Sequence, residues 1–500
     1  MKKIVIIGAG LGGLALACRL AKEGDTVEIY EKNAVSGGRV AHKKVKGYSI
    51  DIGPTFVLMP QEFEELFSYC GKNFRETVPL QSLSPNYRLH FSDSTHFDMH
   101  SSLPEAVVEL KRYSPNDVQG YYDFLAYHQP KFETIYSHFI SKPAQSLLKT
   151  IFSPRIIDLL NADGFISMWE HTGKFFKNEN LQLAFSFQSM YLGESPHATP
   201  GTYSMVPFVE LTQGVWFPTN GIRSIILEIE KMAASLGVKI HYRKPVKEIL
   251  IENGKATGIA LANGELVSGD VIVSNVDLPA AYTKLIPPAK RKIMTDKKIN
   301  LLKYSCSAFM LYLGVDKIPD SLKHHNVFFA PDYEKNFQQL FESNEISEDP
   351  SFYVNVPTLT NPKLAPKGKH LLFVLVPVPA KPNQNGNAWN WEEKKESYAN
   401  MIIQKMEARG FTNLKRRIKM KEIFTPNDWE SLAGMHFGST FGLSPIFLQS
   451  SVFRPQQKSE EFSNLYFVGA STHPGSGMPM VLISARTCQE LISSEKMNTK

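Results

Sequence analysis

The sequence predicts an α/β fold whose main domain is assembled from discontinuous segments of the chain. Three observations predict it: a β-branched run feeding a glycine-rich turn at the amino end, a turn-rich ribbon in the middle, and a strand, loop and helix at the carboxyl end. Lys3-Ile4-Val5-Ile6-Ile7 is short and apolar, as expected of a strand buried on both faces of a parallel sheet. It runs into Gly8-Ala9-Gly10-Leu11-Gly12-Gly13 and then into a predicted helix from Leu14 to Ala21. In such a turn Gly8 permits the sharp bend, Gly10 lets the backbone approach a diphosphate, and Gly13 lets the helix pack closely on the strand. The diphosphate then meets unpaired amides at the positive end of the helix. A second strand, Thr26 to Tyr30, ends at Glu31. A carboxylate there accepts bonds from both ribose hydroxyls and repels a 2′-phosphate, which favours NAD or FAD over NADP.

The middle segment starts at Pro218-Thr219-Asn220-Gly221-Ile222 and continues into a predicted helix from Ser224 to Leu236, broken at Gly237. Val238 to Ile240, Val246 to Leu250, and the turns Asn253-Gly254 and Asn263-Gly264 then predict a small antiparallel ribbon. The ribbon returns to a buried strand in Asp270 to Asn275. At the carboxyl end, Asn464 to Ala470 reads as a strand ending in glycine. Ser471 to Met480 is a loop that enters a final helix through Val481 to Ile492. A helix start aimed at a redox ring stabilises negative charge on it.

Composition bounds the rest. Five hundred residues suggest about three domain-sized units, and 43% hydrophobic with 21% charged residues is ordinary for a globular chain. A net charge of +6, spread over this length, is too weak for nucleic-acid binding and compatible with anionic lipid. Cys18, Cys70, Cys306 and Cys488 lie far apart, so neither a disulfide framework nor a zinc site is expected, and a reducing compartment fits. No apolar run reaches the ~18–20 residues that span a bilayer; Leu371 to Ala380 is typical of the longer ones. Lys2-Lys3 before Ile4 to Cys18 has the outline of a signal peptide, but glycines at 8, 10, 12 and 13 argue against it.

Five stretches follow: nucleotide-binding parts at 1–75, 213–295 and 426–500, and insertions at 76–212 and 296–425. The first insertion has helical character. Phe132, Tyr136, Phe139, Leu147, Leu148, Ile151, Phe152, Ile156, Ile157, Leu159 and Leu160 interleave there with Lys131, Lys142, Lys149 and Arg155. Such a pattern fits a helical surface that dips into a bilayer, or a cap with its core inside and lysines outside. Pro379 to Asn390 reads as a mobile loop. No serine, cysteine or carboxylate constellation of hydrolases is apparent, nor a metal motif, and His324-His325 would point to opposite faces of a strand.

The spacing Glu31-x5-Gly37-Gly38-Arg39, followed by Gly53-Pro54, resembles the two-domain flavoproteins that include amine oxidases and carotenoid desaturases. Further stretches match more narrowly: Tyr304 to Phe309, His325-Asn326-Val327, Leu364 to Gly368, Phe424 to Asp428, His436 to Ser439, and Gly469 to Gly475. With these the chain resembles the bacterial-type phytoene desaturase family, and within it the dehydrosqualene (4,4′-diapophytoene) desaturases. The resemblance implies FAD held by Gly8, Gly10, Gly12, Gly13, Glu31, Gly37, Gly38, Arg39, Gly53, Pro54, Val246, Gly469, Gly477 and Met478. It also implies an inserted α+β substrate domain, a helical membrane-facing cap, an apolar isoprenoid substrate, and oxygen or a quinone as final acceptor. The expected location is the cytoplasm, at the inner face of the cell membrane.

Asn220-Gly221 stands where the family commonly has a glycine pair, and Met478 to Val481 also resembles the terminal-methyl oxygenases of the thirty-carbon pathway. Those oxygenases, phytoene desaturases, amine oxidases and cofactor-free carriers of isoprenoid groups are the alternatives. Desaturation removes a hydride and a proton from adjacent carbons, so the cofactor carries most of the chemistry. His473 is the candidate for relaying the proton, with ordering of its loop as the other role. Phe208, Trp216, Phe309, Tyr312 and Phe441 are candidates for a substrate tunnel.

Overall fold

The computed structural model describes residues 1–143, 157–158, 161–380, 389–450 and 453–498. Five parallel strands form the first sheet, in the order Leu465–Phe467, Val271–Ser274, Lys3–Ile7, Thr26–Tyr30, Lys239–His241. Period-two alternation assigns its faces. Ile4, Ile6, Val271 and Val273 pack with the helices Leu11–Lys22, Arg223–Ser235 and Met478–Asn498. Val5, Ile7 and Ile272 point the other way, onto Ile249 and Ile259 of a three-stranded antiparallel ribbon, Val246–Glu252, Lys255–Leu261 and Leu266–Ser268. Each fully buried Ile or Val contributes about 1.5–3 kcal/mol, which is why the central strand is apolar from Ile4 to Ile7, with Lys3 at its less buried start.

Two sequence expectations change here. The residues around Val238 to Ile240 are not part of the ribbon: Lys239–His241 runs parallel to Thr26–Tyr30 as the edge of the main sheet. The helix Arg223–Ser235 supplies the crossover that a strand in this parallel sheet needs. The first helix also starts at Leu11 rather than Leu14, and the last at Met478 rather than Val481.

The second sheet has seven strands, in the order Ile418–Phe424, Ser307–Val315, His370–Val378, Phe352–Asn355, His325–Phe328, Tyr87–His90, His96–Met99. Only His325–Phe328 and Tyr87–His90 pair in parallel. Stretch 76–212 is therefore not helical throughout: it donates two strands to the sheet built mainly by 296–425. Phe309, Leu311 and Leu313 bury against the helix Trp391–Ala408, while Ala308 and Met310 face the opposite side, toward the interior of the molecule. Helices Leu103–Tyr113 and Val118–Ile135, with the π-helical turn Tyr136–Ile140, lie in the first insertion.

Among the described residues no helix is long and apolar enough to cross a membrane. Leu147, Leu148, Lys149, Ile151, Phe152, Arg155, Ile156, Leu159 and Leu160 of the amphipathic stretch lie outside the described residues, as do 381–388 of the expected loop.

Candidate cofactor and substrate site

All five parallel strands end at one edge, and a cavity of about 1230 Å³ opens there. That exceeds the ~300–1,000 Å³ of a site for one small ligand. Its position outside the carboxyl ends of the strands, where the order reverses around Lys3–Ile7, is where open α/β sheets bind ligands. The wall has two parts. One is backbone and glycine: Gly8, Gly10, Gly12, Glu31, Gly37, Gly38, Arg39, Gly53, Pro54, Val246, Gly469, Gly477 and Met478 all line it. The other is apolar and aromatic, with Phe56, Phe139, Met190, Met310, Phe329 and Phe447 among its members.

Of the residues expected to hold the cofactor, Gly13 alone stays off the wall, since its work is packing. A Cβ on it would overlap the carbonyl oxygen of Gly8, the residue that turns the chain at φ +98°. Asn275, directly after the strand Val271–Ser274, organises the rest. Its amide donates to the Val468 carbonyl at 2.8 Å. A Cβ at Gly10 would come within 2.7 Å of its Oδ1, and one at Gly12 or Gly469 within 2.8 Å of its Nδ2. These three glycines are thus fixed by a side chain that was not singled out beforehand.

Glu31 accepts from the amides of Ala9 and Asn33, each at 2.8 Å, which aims the carboxylate at the cavity edge. Arg39 reaches across to Asp277 at 3.0 Å, and Asp277 also accepts from the His436 amide at 3.2 Å. His473 is buried. Its Nε2–H donates to the Lys142 carbonyl at 3.0 Å, and its enclosed Nδ1 has no partner among the described residues. Burial pushes its pKa down to about 4, so the ring is neutral at pH 7.

Of the tunnel candidates, only Phe441 lines the cavity. Phe309 faces the other side of its sheet and stacks on Trp391. Tyr312 is enclosed by Phe373 and Phe424, and Phe208 by His128 and Phe132. Trp216 pairs with Ser82 in a short ribbon under the Arg75 guanidinium. Judged by chemistry these residues were equivalent; strand parity and neighbours separate them. Among the described residues no three His, Cys, Asp or Glu side chains could hold a metal ion.

The sequence profile of the flavin-containing amine oxidoreductases matches residues 11–492. The chain belongs to that family. It is 40% identical over 491 residues to the zeta-carotene-forming phytoene desaturase of Myxococcus xanthus, covering 98% of this chain and 93% of the relative. It is 35% identical over 499 residues to the 4,4′-diapolycopene-forming 4,4′-diapophytoene desaturase of a Methylomonas species, with 99% and 96% covered. An oxidoreductase structure from Methanosarcina mazei superposes with a TM-score of 0.65 at 20% identity, covering 98% of this chain and all of that one. This likeness shows the shared fold. The protein is therefore an FAD-dependent oxidoreductase of the carotenoid desaturase group. The residues fit the cofactor: the strand ends offer glycine backbone where a side chain would collide, and Glu31 stands at the predicted ribose position.

Proposed function

We propose that the protein introduces double bonds into a linear carotenoid precursor, 4,4′-diapophytoene (dehydrosqualene), using FAD. The single observation that carries this reading is one continuous cavity whose wall passes from a dinucleotide cradle to an aromatic and aliphatic chamber. The reading is supported by full-length similarity to a 4,4′-diapophytoene desaturase. Phytoene is the second reading, favoured by the higher identity to the Myxococcus relative.

Bound in the cradle, FAD supplies the hydride acceptor for a C–H bond of the substrate. Glu31 and the glycine backbone hold and orient it. Phe56, Met310, Phe329 and Phe441 exclude water and keep an uncharged chain extended by contact alone. His473 lines the cavity, and its Nε2–H bond to the Lys142 carbonyl orders the loop that carries it.

The test is expression in a host supplied with dehydrosqualene, in parallel with one supplied with phytoene, and the pigment's absorption spectrum. New long-wavelength bands from the first host support the thirty-carbon reading, and bands from the second alone transfer it to phytoene. A colourless extract from folded yellow protein in both overturns desaturation.

The substrate class also suggests a peripheral position at the inner face of the cell membrane, the first insertion serving as cap and the second sheet as substrate domain, with oxygen or a quinone reoxidising the flavin. Support comes from an apolar rim. Phe165 and Leu448 are each 68% exposed and Ile157 60%, and Phe165 packs on Phe447 of the cavity wall at a ring distance of 5.0 Å. The double variant Phe165→Glu, Leu448→Glu is expected to keep its FAD and lose binding to anionic liposomes. Each lost apolar insertion weakens binding about tenfold or more, at ~1.5–3 kcal/mol per side chain. Unchanged co-sedimentation would remove this rim from the membrane surface.

A further inference from the structure

Three arginines are buried among the described residues, and two have ion-pair partners. Arg19 pairs with Glu65, and Arg291 with Asp296 at 2.7 Å. Arg454, 4% exposed, has no carboxylate within 4.0 Å among the described residues. It lines the cavity. Its Nε donates to the Thr472 carbonyl at 3.2 Å and its Nη2 to the Ala470 carbonyl at 2.6 Å, so the guanidinium is clamped to the loop that leads into the last helix. Among the described residues Asp277 is the carboxylate whose charge acts on it, but Asp277 already carries the ion pair with Arg39 at 3.0 Å. Burial lowers the Arg454 pKa, which means that the charge is held at a cost.

The same wall carries a second source of positive potential. Gly475, Ser476, Gly477 and Met478 line the cavity, and their amides find no acceptor among the described residues. They precede or open the 21-residue helix Met478–Asn498, whose dipole adds to them. A Cβ on Gly475 would lie 3.9 Å from Arg454 Nε, so the loop and the guanidinium form one surface. A buried cation that shares its only nearby carboxylate, next to free amides, is a site built for an anion.

We propose that Arg454 holds the negative charge that the flavin acquires on reduction, and so sets how strongly this enzyme oxidises its substrate. The inference rests on the FAD reading above. The balance is simple: a substrate C–H bond breaks and its electron pair travels with hydrogen to the flavin, leaving one negative charge on the ring. The neighbouring carbon releases a proton, finally to water, and the double bond forms. Stabilising that ring charge raises the flavin's potential. The cofactor's diphosphate is the other anion that a guanidinium in this cavity could hold, and experiment separates the two.

The experiment compares the purified FAD-loaded protein with Arg454→Gln and Arg454→Lys, without substrate. It reads bound FAD per chain, affinity for sulfite at the flavin, and midpoint potential. Arg454→Gln is expected to keep FAD and to bind sulfite about tenfold more weakly, with a midpoint lower by about 30 mV for the same tenfold change in a two-electron couple. Arg454→Lys, which keeps the charge, is expected to stay near wild type in both. A fall in bound FAD, with the potential of the flavin still bound unchanged, would overturn the proposal in favour of the diphosphate. Unchanged FAD and potential in the Gln variant would reduce Arg454 to a loop clamp. Should the Gln variant not fold, the Lys variant decides alone: a tenfold fall in sulfite affinity despite retained charge overturns the proposal, and near-wild-type values uphold it. A wild-type protein that holds no FAD would instead overturn the cofactor reading. One that holds FAD and desaturates nothing would overturn only the substrate reading.

Discussion

Gly13→Ala is expected to give a protein that is purified without FAD and melts well below the wild type. Gly13 sits in the first turn of the helix Leu11–Lys22, where an added Cβ would overlap the carbonyl oxygen of Gly8 and press on Asn275 Oδ1 at 3.3 Å. The obstacle is backbone, and Gly8 is itself fixed by the hydrogen bond that its N–H donates to the Tyr30 carbonyl at 2.8 Å. The helix must therefore move away from the sheet. Overpacking of this kind costs ~1–3 kcal/mol and more when backbone must shift. The loss compounds, because a bound cofactor stabilises the fold by RT ln(1 + [L]/Kd) and that contribution vanishes with binding. Gly10→Ala separates the two effects. Its Cβ meets only the Asn275 side chain, so the apo fold should persist while the diphosphate is excluded. Gly71→Asn, where nothing lies within 4 Å, is the control and should keep both. Visible flavin absorbance and thermal melts with and without added FAD check all three. A yellow Gly13→Ala protein with a wild-type melting temperature would refute the packing role.

The sequence made the cradle readable because its geometry is local. Lys3–Ile7 and Thr26–Tyr30 lie where the β-branched runs place them, and the ribbon follows its two Asn-Gly turns. Lys239–His241 was misplaced because three residues carry no information about which strand they will meet; the crossover helix decides that. The first helix begins early because Gly12 and Gly13, poor helix formers in isolation, are required there by close packing. Asn275, Asp277 and Arg454 were invisible for a different reason. Each is an ordinary polar residue in its own segment, and each matters through partners about 190, 240 and 20 positions away. For Asn275 a faint signal existed, since it is the first polar side chain with an amide beyond a buried strand that ends at the cofactor edge. Glu210 also had one. It is the only carboxylate within the apolar stretch Met205 to Leu211, and a charge at such a position demands an explanation.

That explanation yields the last prediction. Glu210 is fully buried in the helix Met205–Gln213 and accepts from the hydroxyls of Tyr87, at 3.0 Å, and Tyr191, and from the Gln188 amide at 3.1 Å. Tyr87 and Tyr191 line the cavity, so the carboxyl fixes two aromatic walls of the apolar chamber. Among the described residues no cation faces it; the titratable groups against it are those two tyrosines, with the His325 ring tilted against Tyr87 at 5.5 Å. Burial therefore dominates and pushes its pKa from 4.5 up to about 7. For an acid raised on folding, the stabilising contribution is complete below about pH 4.5 and is lost as pH rises through about 7. The displacement is worth roughly 3 kcal/mol at ~1.4 kcal/mol per tenfold. His473, His128 and His171, each lowered to about 4, act in the opposite sense, losing stability as pH falls from 6.5. The Glu210 contribution is isolated by subtraction: urea unfolding of wild type and Glu210→Gln from pH 4.5 to 8 should give a difference that moves by a few kcal/mol in favour of the variant as pH rises. A flat difference would show that Glu210 stays ionised throughout. Glu210→Leu is expected to be far worse at every pH. It strands two tyrosine hydroxyls and an amide without acceptors, at ~1–3 kcal/mol each, and that sum rivals the ~5–15 kcal/mol by which a whole domain is stable. The two variants differ in acceptor capacity more than in charge, so a folded, cofactor-loaded Leu variant would mean that the chamber's aromatic walls stand without this carboxyl.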